Sequence, residues 1–282
     1  MHKFKFPLLI LAVALIIFGC SSTDPEPEPE PEVFDPPTSL VYLTYQDSVR
    51  LSWTASVDES ETGFLGYLVY RRENAGFSGL SNEDLVGYLV SADHIGGVAT
   101  TITGIPSDRK HFFTVRAIKV VGSDTTLSAL ANTVDTSPTI WFSDTIWEVA
   151  GGTGVMCAID FDNQIVYPME LTYLTQIDIY LGVEDSNRLA LKSPSLFGTE
   201  WSDRTAEVKR LGVPIAGLAS FNSAGTTGWT NERLLYPGES YAVKIGSNYS
   251  KIFVEGFTSG VYPNRGIIFS AAYQNVDNYD RF

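Results

Sequence analysis

Apolar and polar residues alternate with a period of two along most of this chain. Val49, Leu51 and Trp53 share one face of a predicted strand, with Arg50 and Ser52 on the other. Leu65, Tyr67 and Val69 alternate with Gly66, Leu68 and Tyr70, and Ile102 lies between Thr101 and Thr103. Phe113, Val115 and Ala117 alternate with Thr114, Arg116 and Ile118. This is the pattern of half-buried strands, and the Gly, Asp and Ser turns between them predict an antiparallel sandwich over residues 36–136.

The pattern continues over residues 137–282. Ile177, Ile179 and Leu181 share a face, as do Tyr241, Val243 and Ile245. Gly246, Ser247 and Asn248 then read as the turn of a hairpin whose second strand runs over 249–257. Residues 267–273 give a last apolar strand. The stretch 204–211, stopped by Gly212, is read as a short helix. The fold class expected is all-β: a first sandwich followed by a second sandwich or jelly-roll-like module.

The first segment resembles a fibronectin type III domain. The likeness is carried by Pro36-Pro37, by Val49-Arg50-Leu51-Ser52-Trp53 and by Gly66-Tyr67-Leu68-Val69-Tyr70-Arg71. It continues through Thr103-Gly104-Ile105-Pro106, the run from His111 to Ala117, and Ser128. At the family's corner tyrosine this chain has His111, whose imidazole can donate to a nearby backbone carbonyl as a phenol would. The other mature histidine, His94, falls in a Gly-rich turn. The end of the chain is loosely similar to the tail of HmuY-type haem-binding lipoproteins, on Tyr241 to Lys244, Tyr249 to Ile252, Phe269 and Tyr273-Gln274. No histidine follows His111, so haem binding does not carry over and no cofactor is expected.

The N-terminus has a basic start at Lys3 and Lys5, an apolar run over 8–18, and then Gly19-Cys20. That order is a secretory signal, too short for a spanning helix. Ile17-Phe18-Gly19-Cys20 also resembles the bacterial lipobox, which implies cleavage after residue 19 and lipidation of Cys20. Several acyl chains on Cys20 would give a stable anchor, at about 0.8 kcal/mol per buried methylene. Alternating Pro and Glu over 25–32 predicts an extended polyproline stalk, holding the first domain roughly 30–40 Å from the membrane at about 3.1 Å per residue. Acidic residues soon after a lipidated cysteine resemble the surface-export signal of Bacteroidetes lipoproteins. The layout expected is a signal peptide (1–19), a stalk (20–35), a fibronectin-like domain (36–136) and a β-rich module (137–282), anchored at the cell envelope and displayed from the outer membrane.

Charge narrows the partners. The chain has 282 residues and a formal charge of −14. Nucleic acid is excluded as a partner, since its binding depends on basic residues that neutralise phosphates. The membrane is reached through the lipid on Cys20. Once Cys20 is lipidated, Cys157 has no disulfide partner and reads as a small buried hydrophobe.

Chemistry is sparse. With both mature histidines in the first segment, the second module lacks a base for a Ser-His-Asp arrangement and lacks a zinc ligand set. Glu200 with Asp203, or Asp160 with Asp162, are the carboxylate pairs a glycosidase would use. Asp160, Asp162 and Asn163 could also supply oxygens to calcium, or simply form a solvated turn. Gly151-Gly152-Thr153-Gly154 lacks the lysine and helix of a phosphate loop.

The aromatic residues are more informative. Trp141, Trp147, Trp201, Trp229, Tyr236, Tyr262 and Tyr279 all lie in the second module. Trp201 and Trp229 sit among Gly, Ser, Thr, Asp and Asn, which predicts loops. With Tyr236 they are the candidate partner-binding residues, as exposed plates for a sugar ring or a protein; the other reading is that they plug the ends of the core. The function expected is non-catalytic binding or adhesion to a glycan or protein at the envelope. The alternatives are an accessory surface hydrolase and a structural subunit of a surface assembly.

Overall fold

The computed structural model describes residues 34–184 and 188–282, and Phe34–Phe282 form one compact unit. The segments expected to be a signal peptide and a Pro-Glu stalk, with Cys20, lie outside the described residues. The fold is all-β, in two sandwiches.

The first sandwich sets one three-stranded sheet against a four-stranded one. β1 (Thr38–Thr44), β2 (Ser48–Thr54) and β4 (Ala99–Thr103) form the first sheet, in the order β1-β2-β4. β3 (Phe64–Glu73), β5 (His111–Val121) and β6 (Asp124–Leu127) form the second, with β7 (Val134–Thr136) also paired to β5. This is a fibronectin type III-like arrangement. The alternating faces meet as expected: Val49, Leu51, Trp53, Tyr67, Val69, Phe113, Val115 and Ala117 fill one core. His111 is fully buried, and its Nε2 donates to the Pro106 carbonyl at 2.9 Å, so the imidazole fastens the corner.

Strand β3 departs from simple alternation. Its register slips between Phe64 and Gly66, which turns Leu65 outward. Gly66 has φ +132°, and a Cβ there would lie 2.5 Å from the Ile95 carbonyl oxygen, so glycine alone fits this bulge. Leu68 and Tyr70, on the face expected to meet water, are buried too. They pack with Phe77 and with Leu85 of the helix α1 (Asn82–Val86), whose N-terminus is closed by a Ser81–Asp84 capping box.

The second sandwich faces two five-stranded antiparallel sheets. The first has the order β10-β9-β11-β12-β14, from β9 (Met156–Asp160), β10 (Ile165–Pro168), β11 (Ile179–Val183), β12 (Leu189–Lys192) and β14 (Glu232–Leu234). The other has the order β13-β15-β16-β17-β8, from β8 (Ile140–Trp147), β13 (Glu207–Gly212), β15 (Ser240–Ile245), β16 (Asn248–Phe257) and β17 (Gly266–Gln274). Ile159, Ile179, Leu181, Tyr241, Val243, Ile252, Val254, Ile267 and Phe269 form the core between them. One side is closed where Val208 and Thr230 exchange backbone hydrogen bonds of 2.6 and 3.1 Å.

The helix expected over 204–211 is instead β13. Val208 is fully buried between Glu207 and Lys209, a strand alternation masked in the sequence by the charged residues around it. Cys157 is buried, as expected, and burial pushes its thiol up to about 11. Asp160 is buried and closes a turn, accepting from the Asn163 backbone at 3.0 Å and its side-chain amide at 2.8 Å.

The two sandwiches meet in a polar and aromatic joint. Tyr279 donates to Asp135 at 3.1 Å, and Arg281 pairs with the same carboxylate at 2.7 Å. Asn222 donates to the Tyr42 carbonyl at 2.8 Å, Lys110 lies 4.6 Å from the Tyr279 ring centre, and Tyr45 packs on Trp141. The joint therefore takes the Ile140 end of β8 and the Gln274 end of β17. The far ends of those strands, at Trp147 and Gly266, lie roughly 25 Å away, at about 3.4 Å per residue.

Candidate functional site

The three candidate aromatics fall in three different environments. Trp201 is 2% exposed, packed with Ala158, Ile177 and Tyr180 on the outer face of the β9-β11 sheet, its ring 5.9 Å from that of Phe197. The exposure expected of Trp201 is therefore corrected. Its polar neighbours belong to short 3-10 turns that fold over the sheet, and a turn puts an indole inward without alternating apolar neighbours. Trp229 is half-buried on the outer face of the other sheet, against Tyr249 and below Lys209, with Nε1 donating to the Gly225 carbonyl at 3.1 Å. Tyr236 is 44% exposed. The structure does not bring the three together.

Tyr236 stands at the end of the second sandwich opposite the joint, on a segment that crosses from one sheet to the other. Leu235 donates to the Leu189 carbonyl at 3.0 Å, and Gly238 to the Val254 carbonyl at 2.7 Å. Between these two ties Pro237 removes a donor and fixes φ, so the crossing segment has little freedom.

A closed circuit then holds the ring. The Tyr236 N–H donates to the Tyr241 hydroxyl at 2.8 Å, and that hydroxyl donates to Glu239 at 3.2 Å. Glu239 accepts a two-point pair from Arg210, whose guanidinium carbon lies 4.9 Å from the Tyr236 ring centre. The hydrogen bonds from Arg210 hold the Glu239 carboxyl below its ordinary range, against its burial. Burial pushes the Tyr241 phenol far up, so it remains a donor. Every member is charged or neutral as its partner requires, and the plate is set before any ligand arrives.

Two depressions flank the ring. One, of 210 Å³, is lined by Glu184, Arg210, Glu232, Arg233, Leu234 and Tyr236. Arg233 donates Nη2 to the Gly228 carbonyl at 3.0 Å, while its buried Nε–H has no partner. The other, of 340 Å³, is mostly apolar, with Leu189, Leu235, Tyr236, Pro237 and Phe257 among its lining and Arg265 at its rim. Its outer wall is the turn between β16 and β17. A Cβ at Gly260 would lie 1.8 Å from the Asn264 carbonyl oxygen, so only glycine closes that turn. Burial pushes the Glu148 carboxyl up, but hydrogen bonds from Arg265 outweigh this and hold it low, which anchors the turn to β8.

The remaining candidates lie elsewhere. Glu200 and Asp203 are exposed beside the buried Trp201. His94 is exposed on the first sandwich. Among the described residues, no group of three or more His, Cys, Asp or Glu side chains is placed to hold a metal ion. Sequence reasoning missed Arg210, Arg233, Glu239 and Phe257. The Pro237-Gly238 dipeptide marked the turn, but Arg210 lay in the segment read as a helix, so its place under Tyr236 was not legible.

No family model matches this chain, and no curated protein matches it. Among solved structures it is similar to a two-domain fibronectin type III segment of chicken tenascin, at 15% identity over 83% of this chain and 98% of that one, with a TM-score of 0.25. It is similar to the FN1–FN3 domains of chicken CNTN1 at 11% identity, over 84% of this chain and 65% of that one, with a TM-score of 0.26. A structure of titin kinase with its flanking domains matches at 11% identity and a TM-score of 0.30; 88% of this chain covers 38% of that one.

Proposed function

We propose that this chain is a non-catalytic recognition protein of the bacterial cell envelope, lipidated at Cys20, which binds a glycan at the Tyr236 end of its second sandwich. The observation that carries this reading is the preset Tyr236 ring, half exposed between a polar and an apolar depression. Sugar rings have one apolar face and a rim of hydroxyls, so they suit an aromatic plate edged by planar Arg and Glu groups. The site faces away from the joint, which favours reaching a partner beyond the first sandwich. Glu239 and Glu148 are held below their ordinary range by arginines, whereas a general acid needs a carboxyl raised toward neutrality. Among the described residues, no helix is long and apolar enough to cross a membrane, and lipid on Cys20 supplies the attachment.

The test is retention of the full chain, in detergent, on an array of envelope and host polysaccharides, with Tyr236→Ala beside it. Loss of retention in the variant at an unchanged melting temperature is expected. Equal retention of both forms would overturn the placement of the site.

A further inference from the structure

The two depressions beside Tyr236 differ in chemistry, and this difference selects among sugars. The smaller one is lined by Glu184, Arg210, Glu232 and Arg233, with the Arg233 Nε–H buried out of a ligand's reach. Charge there is balanced: Arg210 is matched by Glu239, and Glu232 by Lys192 at 2.9 Å. The larger depression offers Leu189, Leu235, Pro237 and Phe257, with 41% of Phe257 exposed, beside Arg188 and the Glu148-paired Arg265. An apolar hollow of this kind gains nothing from a bare hydroxyl and gains from a methyl group.

We infer that the ligand is a neutral N-acylated sugar, its ring stacked on Tyr236, its hydroxyls toward the charge-balanced smaller depression and its acyl methyl in the hollow beside Phe257. This rests on the glycan reading above and goes beyond it by naming the ring substituent. Tyr236 lines both depressions, so a ring stacked there borders each of them.

The test compares a β-1,4-linked N-acetylglucosamine tetramer with the corresponding glucose tetramer, by calorimetry on the full chain in detergent. The acetylated tetramer should bind about ten-fold tighter or more, the discrimination one apolar group can give in a fitted hollow. Its affinity should not fall between low and high salt, because no net charge is exchanged. Phe257→Ala should bring the ratio of acetylated-tetramer to glucose-tetramer affinity close to one, while Tyr236→Ala should weaken both. Equal binding of the two tetramers would overturn this inference and leave the glycan reading standing. A preference that survives Phe257→Ala, or an affinity that collapses in salt, would also overturn it. Binding of neither tetramer would remove the glycan reading and this inference together.

Discussion

Tyr279 of the second sandwich donates its phenolic hydrogen to Asp135 of the first, across 3.1 Å, with only 4% of the tyrosine exposed. Asp135 also pairs with Arg281, so one carboxylate ties the tail of the chain to β7. Two modules that the sequence presents in series are thus joined by part-buried polar contacts.

The joint predicts coupled melting. The intact protein should unfold in one calorimetric transition. Asp135→Ala removes a charged hydrogen-bond partner of a buried tyrosine, worth about 1.5–3 kcal/mol. It should split the transition in two. A wild-type trace that already shows two independent transitions would disprove the coupling.

Trp201 and Tyr236 should behave as opposites. Trp201 is packed on Ala158, Ile177 and Tyr180, and truncating a buried tryptophan costs about 3–5 kcal/mol. Trp201→Ala should lower the melting temperature sharply, and Tyr236→Ala should barely move it. Quenching by acrylamide separates the indoles independently: Trp201 emission should be blue-shifted and protected.

Two buried ionisable groups set the dependence of stability on pH. Burial pushes the Asp178 carboxyl up to about 7, although it accepts from Phe161 N–H and Arg204. The folded state therefore keeps a proton that the unfolded state has lost, and stability falls as pH rises from about 4 to about 7. Burial lowers Lys251 to about 7, where its Nζ donates to the Ser220 carbonyl at 2.7 Å beside the Phe282 ring. The folded state gives up this proton first, so stability rises from about pH 7 to about pH 10. Between pH 4 and pH 10 the two groups place a minimum near neutrality. Lys251→Met should raise stability at pH 6 by up to a few kcal/mol, since a tenfold change in proton affinity is worth about 1.4 kcal/mol, and should flatten the alkaline limb. Urea titrations at pH 5, 7 and 9 check this; a maximum at neutrality would contradict both assignments.

Lipidation is tested separately from the fold. Cys20→Ser should move the protein from the membrane pellet to the soluble fraction and remove the mobility shift of the mature form. Pellet retention by Cys20→Ser would mean that attachment comes from something other than the lipid.

The fold class was legible because strand alternation is local. Val49, Leu51 and Trp53 face one way whatever lies opposite them, and the His111 corner was legible through the resemblance to fibronectin type III domains. The same local logic failed at β13, where Glu207, Lys209 and Arg210 hide a single core position at Val208. It failed at Trp201, where polar neighbours sit in turns folded over a sheet rather than in open loops. Tyr236 was picked out by residue type, but nothing in its own neighbourhood names Arg210 or Phe257, which arrive from β13 and β16. Sequence by itself determined the alternating strands around residues 49–53, 113–117, 241–245 and 267–273 and marked Cys20 as the candidate lipid attachment, since each depends on residues within a few positions of one another. Only the tertiary structure decided which aromatic stays exposed and what lies on either side of it. That outcome depends on which sheet covers which face, and burial of a side chain is set by distant segments that the local pattern does not contain.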